Sequence, residues 1–179
     1  WLKRIGGIFN DRGNSISLDT LGNVYTTGRF SETIDFDPNI GISLLTAPNG
    51  NSDVFVLKLD STGNFVWAKN MGGMNGDFGN SLAVDDFGNV YTIGEFNGTA
   101  DFDPGIGTYN LISNGSKDIF ISKLDNLGNF VWAKSLGGQL IDDGKSIFVD
   151  KFGNVHATGF FSGTASFEPS FEPLNLSSD

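Results

Sequence analysis

Tryptophan occurs three times, at Trp1, Trp67 and Trp132, and everything between these positions repeats in step. Asn64-Phe65-Val66-Trp67-Ala68-Lys69 followed by Gly72-Gly73 returns as Asn129-Phe130-Val131-Trp132-Ala133-Lys134 with Gly137-Gly138. An abbreviated copy, Trp1-Leu2-Lys3 with Gly6-Gly7, opens the chain. The 179 residues are thus one unit of about 65 residues written about 2.75 times. A repeat of this length constrains the fold strongly, because one unit cannot bury its apolar face alone and must stack on the next.

Within a unit the pattern is that of strands. Ser15-Ile16-Ser17-Leu18, Ser81-Leu82-Ala83-Val84 and Ser146-Ile147-Phe148-Val149 alternate with period two, the mark of a half-buried strand. Each runs into a five-residue turn: Asp19 to Asn23, Asp85 to Asn89, Asp150 to Asn154. Asp caps such a turn through local hydrogen bonds, and the Gly at its fourth position takes the left-handed conformation that closes the hairpin. Returning strands follow at 24–30, 90–96 and 155–161. A looser segment, Thr33 to Pro38, Thr99 to Pro104 and Thr164 to Pro169, is interrupted by Pro and Gly and reads as a short edge piece with a surface loop. A second hairpin begins at Asp53 or Asp118, turns at Asp60 to Asn64 or Asp125 to Asn129, and ends in the Trp strand. No stretch carries a helical period of useful length.

Four antiparallel strands in about 65 residues is the content of a β-propeller blade, so the expected fold is all-β. The expected divisions are a last strand of a preceding blade over 1–14, blades over 15–80 and 81–145, and the first half of a further blade over 146–179. One Trp per blade fits a ring filling the wedge between sheets, with its N–H bonded at the blade edge. A carbohydrate-stacking role for Trp67 or Trp132 is the alternative. Closed propellers use four to eight blades. The ring here is incomplete, and the expectation is that the remaining blades come from a longer polypeptide, with other subunits as the second choice.

Residues 79–94, Gly-Asn-Ser-Leu-Ala-Val-Asp-Asp-Phe-Gly-Asn-Val-Tyr-Thr-Ile-Gly, together with the Asp-Phe-Asp-Pro and Asn-Phe-Val-Trp-Ala-Lys elements, resemble the SBBP repeat, the seven-bladed β-propeller repeat of exported Bacteroidetes proteins. That resemblance implies a large exported or cell-surface protein, often with a separate sorting domain for type IX secretion. It carries over no catalytic residue, because propellers host many unrelated activities.

Composition narrows the function classes. The formal charge of −10, with 11 Lys+Arg scattered singly, argues against nucleic-acid binding, since an acidic surface repels phosphates. With no Cys, disulfides and thiolate sites are excluded. No apolar run approaches the length of a membrane-spanning helix, so no membrane insertion by a helix is expected.

Few residues invite a chemical role. Asp35 with Asp37, and Asp101 with Asp103, place hard oxygen ligands two apart in a loop before Pro, a pattern suited to calcium. Turn capping is the competing account, and the third copy, Ser166-Phe167-Glu168, loses one acid. The Asp of the five turns repeat too faithfully to be catalytic. His156, the single histidine, stands where Tyr25 and Tyr91 stand in the other units and reads as a packing substitution. The non-repeated acids are Glu32, Glu95, Asp143 and Glu172, of which Glu95 and Asp143 would be the carboxylates of a glycan-cleaving enzyme. Asp19-Thr20-Leu21 and Asp60-Ser61-Thr62 resemble the O-glycosylation signal of exported Bacteroidetes proteins. The reading favoured overall is a non-enzymatic exported scaffold for binding or adhesion at the cell surface. It meets a protein or carbohydrate partner through loops 37–53, 103–118 and 168–179, where variable segments sit on a rigid frame. A glycan-active propeller enzyme and a passive stalk are the alternatives.

Overall fold

The computed structural model describes residues 1–167 and 174–178. In chain order its strands are β1 Arg12–Leu18, β2 Val24–Ser31, β3 Thr33–Asp35, β4 Leu44–Thr46, β5 Ser52–Leu59, β6 Phe65–Gly73, β7 Phe78–Val84, β8 Val90–Asp101, β9 Asn110–Leu124, β10 Phe130–Gly138, β11 Asp143–Val149, β12 Val155–Phe160, β13 Thr164–Ser166 and β14 Asn175–Ser177. A 3-10 turn at Pro48–Gly50 is the one helical element among the described residues.

The expected blades are present. β1, β2, β5 and β6 pair in that order as an antiparallel four-stranded sheet, and β7, β8, β9 and β10 repeat it. β11 and β12 begin a third copy, and the ring is not closed. The first strands β1, β7 and β11 lie side by side, which makes them the inner strands.

Two repeated irregularities turn these sheets into blades that fit one another. In each inner hairpin the register shifts once, between Gly13 and Ser15, Gly79 and Ser81, and Gly144 and Ser146. The extra residue of a bulge is free to aim its side chain away from its own ladder. Asn14 Nδ2 thus donates to the Gly79 carbonyl at 2.8 Å, and Asn80 Nδ2 to the Gly144 carbonyl at 3.0 Å, each in the next blade. The second shift falls just before each Trp, where Val66 and Val131 are the unpaired extra residues. This breaks the alternation after Phe65, and Trp67 ends buried between the sheets while Val66 stays exposed.

The apolar residues form layers between sheets. One cluster joins Tyr25, Val54, Val56, Trp67 and Met71 of the first blade to Leu82, Val90, Phe96, Phe102 and Phe120 of the second. A further layer joins Tyr91, Ile93, Ile119 and Ile121 to Ile147 of the third. Burying one such side chain is worth about 2 kcal/mol, so these layers carry most of the stability.

The loose segment is better ordered than its Pro and Gly suggest. β3 and β4 form a small hairpin, as do β13 and β14. In the second blade the same hairpin is fused to the far ends of β8 and β9, with Thr99 opposite Ile112 and Asp101 opposite Asn110. It also crosses to the preceding blade: Gly72 and Gly73 pair with Asp101 and Ala100, and Gly137 and Gly138 with Ser166 and Ala165. A Cβ on Gly73 would strike the Thr99 carbonyl, and one on Gly138 the Thr164 carbonyl. The paired glycines therefore mark the place where one blade's outer strand is hydrogen-bonded to the next blade's hairpin.

Candidate functional site

All five Asp-x-x-Gly-Asn turns adopt one structure. Each Asp N–H donates to the Asn carbonyl, and each Gly N–H to the Asp carbonyl. One carboxylate oxygen accepts the amides two and four residues on at 2.8–3.0 Å, and the other accepts the Asn side chain at 2.7–3.0 Å. Backbone hydrogen bonds from Asn64, with help from Thr62, hold the Asp60 carboxyl down to about 2. For Asp150 the Asn154 side chain does most of the same work, also to about 2. These carboxylates are spent on their own turns, as the repetition predicts.

Trp has a partner in the next blade. Trp67 Nε1 donates to the Asn126 carbonyl at 3.2 Å, and Trp1 Nε1 to the Ser61 carbonyl at 3.1 Å, the second residue of the outer turn both times. The ring lies on the turn glycine: a Cβ on Gly128 would come within 3.1 Å of the Trp67 indole, and one on Gly63 within 2.7 Å of Trp1. Trp67 is 9% exposed and meets Tyr25 edge to face, so its faces are used for packing. His156, in the position of that tyrosine, is exposed and directs Nε2 to Asp150 Oδ2 at 3.6 Å. Tyr25 and Tyr91 place their hydroxyls on Asp19 and Asp85 in the same way.

The Asp-Phe-Asp loops are built around their central residue. Phe36 and Phe102 are buried, each edge to face with Phe30 or Phe96 and tilted against Phe55 or Phe120. Phe167 repeats the contact with Phe161. The flanking acids face outward into the loop. Asp35 Oδ1 accepts the Asp37 and Ser43 amides, and Asp101 Oδ1 the Asp103 and Tyr109 amides. Asp37 and Asp103 each accept the amide two residues on. A cation here would be left the second oxygens and loop carbonyls. Among the described residues no three or more Asp, Glu or His side chains converge as metal ligands. Glu168 and Glu172 lie outside the described residues.

Glu95 and Asp143, unconnected in sequence, meet where the second and third blades join. Both are buried, at 7% and 6% exposure. Lys117 Nζ binds Glu95 Oε1 at 2.5 Å, Lys145 binds Asp143, and Asn80 Nδ2 reaches Asp143 Oδ1 at 2.7 Å. Burial raises the Glu95 carboxyl above its ordinary range, opposed by Lys117 and reinforced by Asp143. Lys117 also stands 4.6 Å from the Phe78 ring centre, and the Arg29 guanidinium 4.5 Å from the same ring. Apart from Asn80, which repeats Asn14, none of these groups recurs from blade to blade, which is why periodicity could not connect them. The cluster is a pinned ionic joint with little surface open to a substrate.

Exposed side chains collect on the loops. Ile40 and Ile106, at matching positions of the β3–β4 loop and its counterpart between β8 and β9, are fully solvent-exposed. Leu21, Phe87 and Phe152 protrude from the inner hairpin tips. Thr20 and Ser61 of the two glycosylation-like tripeptides are exposed on turns as well. A cavity of about 200 Å³ lies under the first blade, lined by Ile5, Phe30, Phe36, Phe55 and Leu57 beside Lys3 and Asp11.

The family model for the SBBP beta-propeller repeat matches residues 1–29 and 66–103. An uncharacterized WD repeat-containing protein of Acanthamoeba polyphaga mimivirus is 26% identical over 95% of this chain and 14% of its own length. The regulatory protein FlaEY of Caulobacter vibrioides is 28% identical over 77% of this chain and 14% of its own length. The chain spans about a seventh of each of these relatives.

Proposed function

We propose that this chain, whose residues 1–29 and 66–103 match the SBBP family of β-propeller repeats, acts as part of an exported, non-enzymatic propeller scaffold. It binds a protein or carbohydrate partner through its blade loops. The observation that carries this reading is the paired placement of Ile40 and Ile106. Each stands fully exposed on a loop that a buried Phe and several Asp-accepted amides hold rigid. An ordered loop presenting an apolar tip loses little conformational freedom when it docks, which favours binding.

The same geometry weighs against the glycan-cleaving alternative. An acid and a nucleophile or base must touch the glycosidic bond, whereas Glu95 and Asp143 are buried and each is held by a lysine. The test is a glycan and protein array probed with the chain and with an Ile40→Ser/Ile106→Ser variant. Retention of a ligand by the parent and its loss in the variant supports a loop-borne binding site. Turnover of any arrayed glycan, abolished by Glu95→Gln, would replace this reading with the enzymatic one.

A further inference from the structure

Two further acids per blade junction are buried without a matching base. Asp53 at the start of β5 and Asp77 in the connection to the second blade are 2% and 0% exposed; Asp118 and Asp142 repeat them at 3% and 0%. Both members of each pair crowd the first glycine of the Gly-Gly step. A Cβ on Gly72 would lie 2.5 Å from Asp53 Oδ1 and 2.9 Å from Asp77 Oδ2. One on Gly137 would lie 2.9 Å from Asp118 Oδ1 and 2.7 Å from Asp142 Oδ2.

The hydrogen bonding of the two members differs in the same way both times. Asp77 accepts the Gly73 N–H at 2.8 Å and the Asn97 N–H at 3.1 Å, and Asp142 accepts those of Gly138 at 2.6 Å and Ser162 at 3.0 Å. Those oxygens are supplied with donors as a carboxylate requires. Asp53 accepts only Asn70 Nδ2 at 3.2 Å, and Asp118 the Asn114 N–H at 3.0 Å, each through Oδ2. The Oδ1 atoms of Asp53 and Asp118 are buried with no partner. An unpartnered buried carboxylate oxygen is costly, and the same vacancy at two equivalent places is no accident of one side chain.

We propose that Asp53 with Asp77, and Asp118 with Asp142, are carboxyl pairs that each hold one proton, seated on the Oδ1 of Asp53 or Asp118, beside the glycine that the partner carboxylate also crowds. The proton provides the missing donor and removes one of two like charges held together out of water. The surrounding groups leave it little competition. Facing Asp53 are Asn70 from β6 and Asp77; facing Asp77 are two amides and, farther off, the Lys117 ammonium, which favours its ionised form. Facing Asp118 are the Asn114 amide and Asp142. Burial, with the neighbouring acid, raises Asp53 to about 7 and Asp118 to about 6. Burial alone outweighs the amide bonds of Asp77, which rises to about 7.

The consequence is a joint that loosens as pH rises. The folded pair keeps its proton to higher pH than the unfolded chain, so its stabilisation is complete below the unfolded carboxyl range and lost on the way to neutrality. In that window the unfolding constant should rise up to about tenfold per pH unit for each pair. Urea unfolding of the full chain between about pH 5 and about pH 8, compared with Asp53→Asn/Asp118→Asn, tests this. The Asn amide supplies the donor at every pH, so the variant should lose most of the parent's decline. Equal declines in both proteins would overturn the proposal. So would a rise in melting temperature of the parent on adding calcium or sodium at about pH 8, absent in the variant, since the pair would then hold a cation. If the variant does not fold, carboxyl carbon NMR of the parent decides. A buried carboxyl per pair still protonated at about pH 5.5 supports the proposal, and full ionisation there refutes it.

Discussion

Glu32 is the one non-glycine residue with a positive φ among those described, at 64°, in a position where the other blades carry Gly98 and Gly163. Left-handed backbone costs a residue with a side chain about 1 kcal/mol. Glu32→Gly should therefore raise stability by about that amount in urea unfolding, although Gly usually does the opposite; a loss would mean that the Glu side chain holds the turn. Phe102 makes the converse case. It is fully buried under Phe96 and Phe120, and Phe102→Ala should cost about 3–5 kcal/mol. Faster amide exchange in residues 103–109 should accompany it, because the ring anchors that loop. The sequence made Asp101 and Asp103 conspicuous through their charge, and the residue between them passed unnoticed. Alternation within a strand identifies a buried face, but a lone aromatic in a loop has no period to betray it. The buried Asp53 and Asp118 were hidden for a related reason: at the head of a strand Asp ordinarily reads as a solvent-facing cap.

Among elements, the turns were the most legible, because the donors and acceptors that shape them lie within five residues. The inter-blade joints were the least legible, since their two halves lie in different repeats: Gly73 meets Ala100, Trp67 meets Asn126, and Asn80 meets Gly144. Two turn glycines differ in whether such a joint rests on them. Gly128 and Gly153 have φ of 79° and 82°, but only Gly128 has the Trp67 ring against it, while Gly153 has open space. Gly153→Ala should cost about 1 kcal/mol from the backbone alone. Gly128→Ala should cost clearly more and should shift Trp fluorescence. Equal costs would show that the ring does not rest on the turn.

For the molecule as a whole, the two classes of acid pull stability in opposite directions with pH. Asp60 and Asp150, held near 2 by their turns, give stability that is present above the ordinary carboxyl range and fades as pH falls toward 2. Asp53, Asp77 and Asp118, raised by burial, withdraw stability as pH climbs to about 7. The melting temperature should accordingly peak near about pH 4–5. A plateau running unchanged from there to pH 8 would contradict the raised group. One further consequence follows from the indole bridge between blades. Its donor, Trp67, and its acceptor, the carbonyl of Asn126, have counterparts at Trp132 and Ser61, so every unit carries both a plug and a socket of the same make. Tandem duplication of about 65 residues would copy both halves together. A gene of this kind can lengthen or shorten by whole units through recombination without inventing a new contact, which leaves the loops free to diverge while the couplings stay in common.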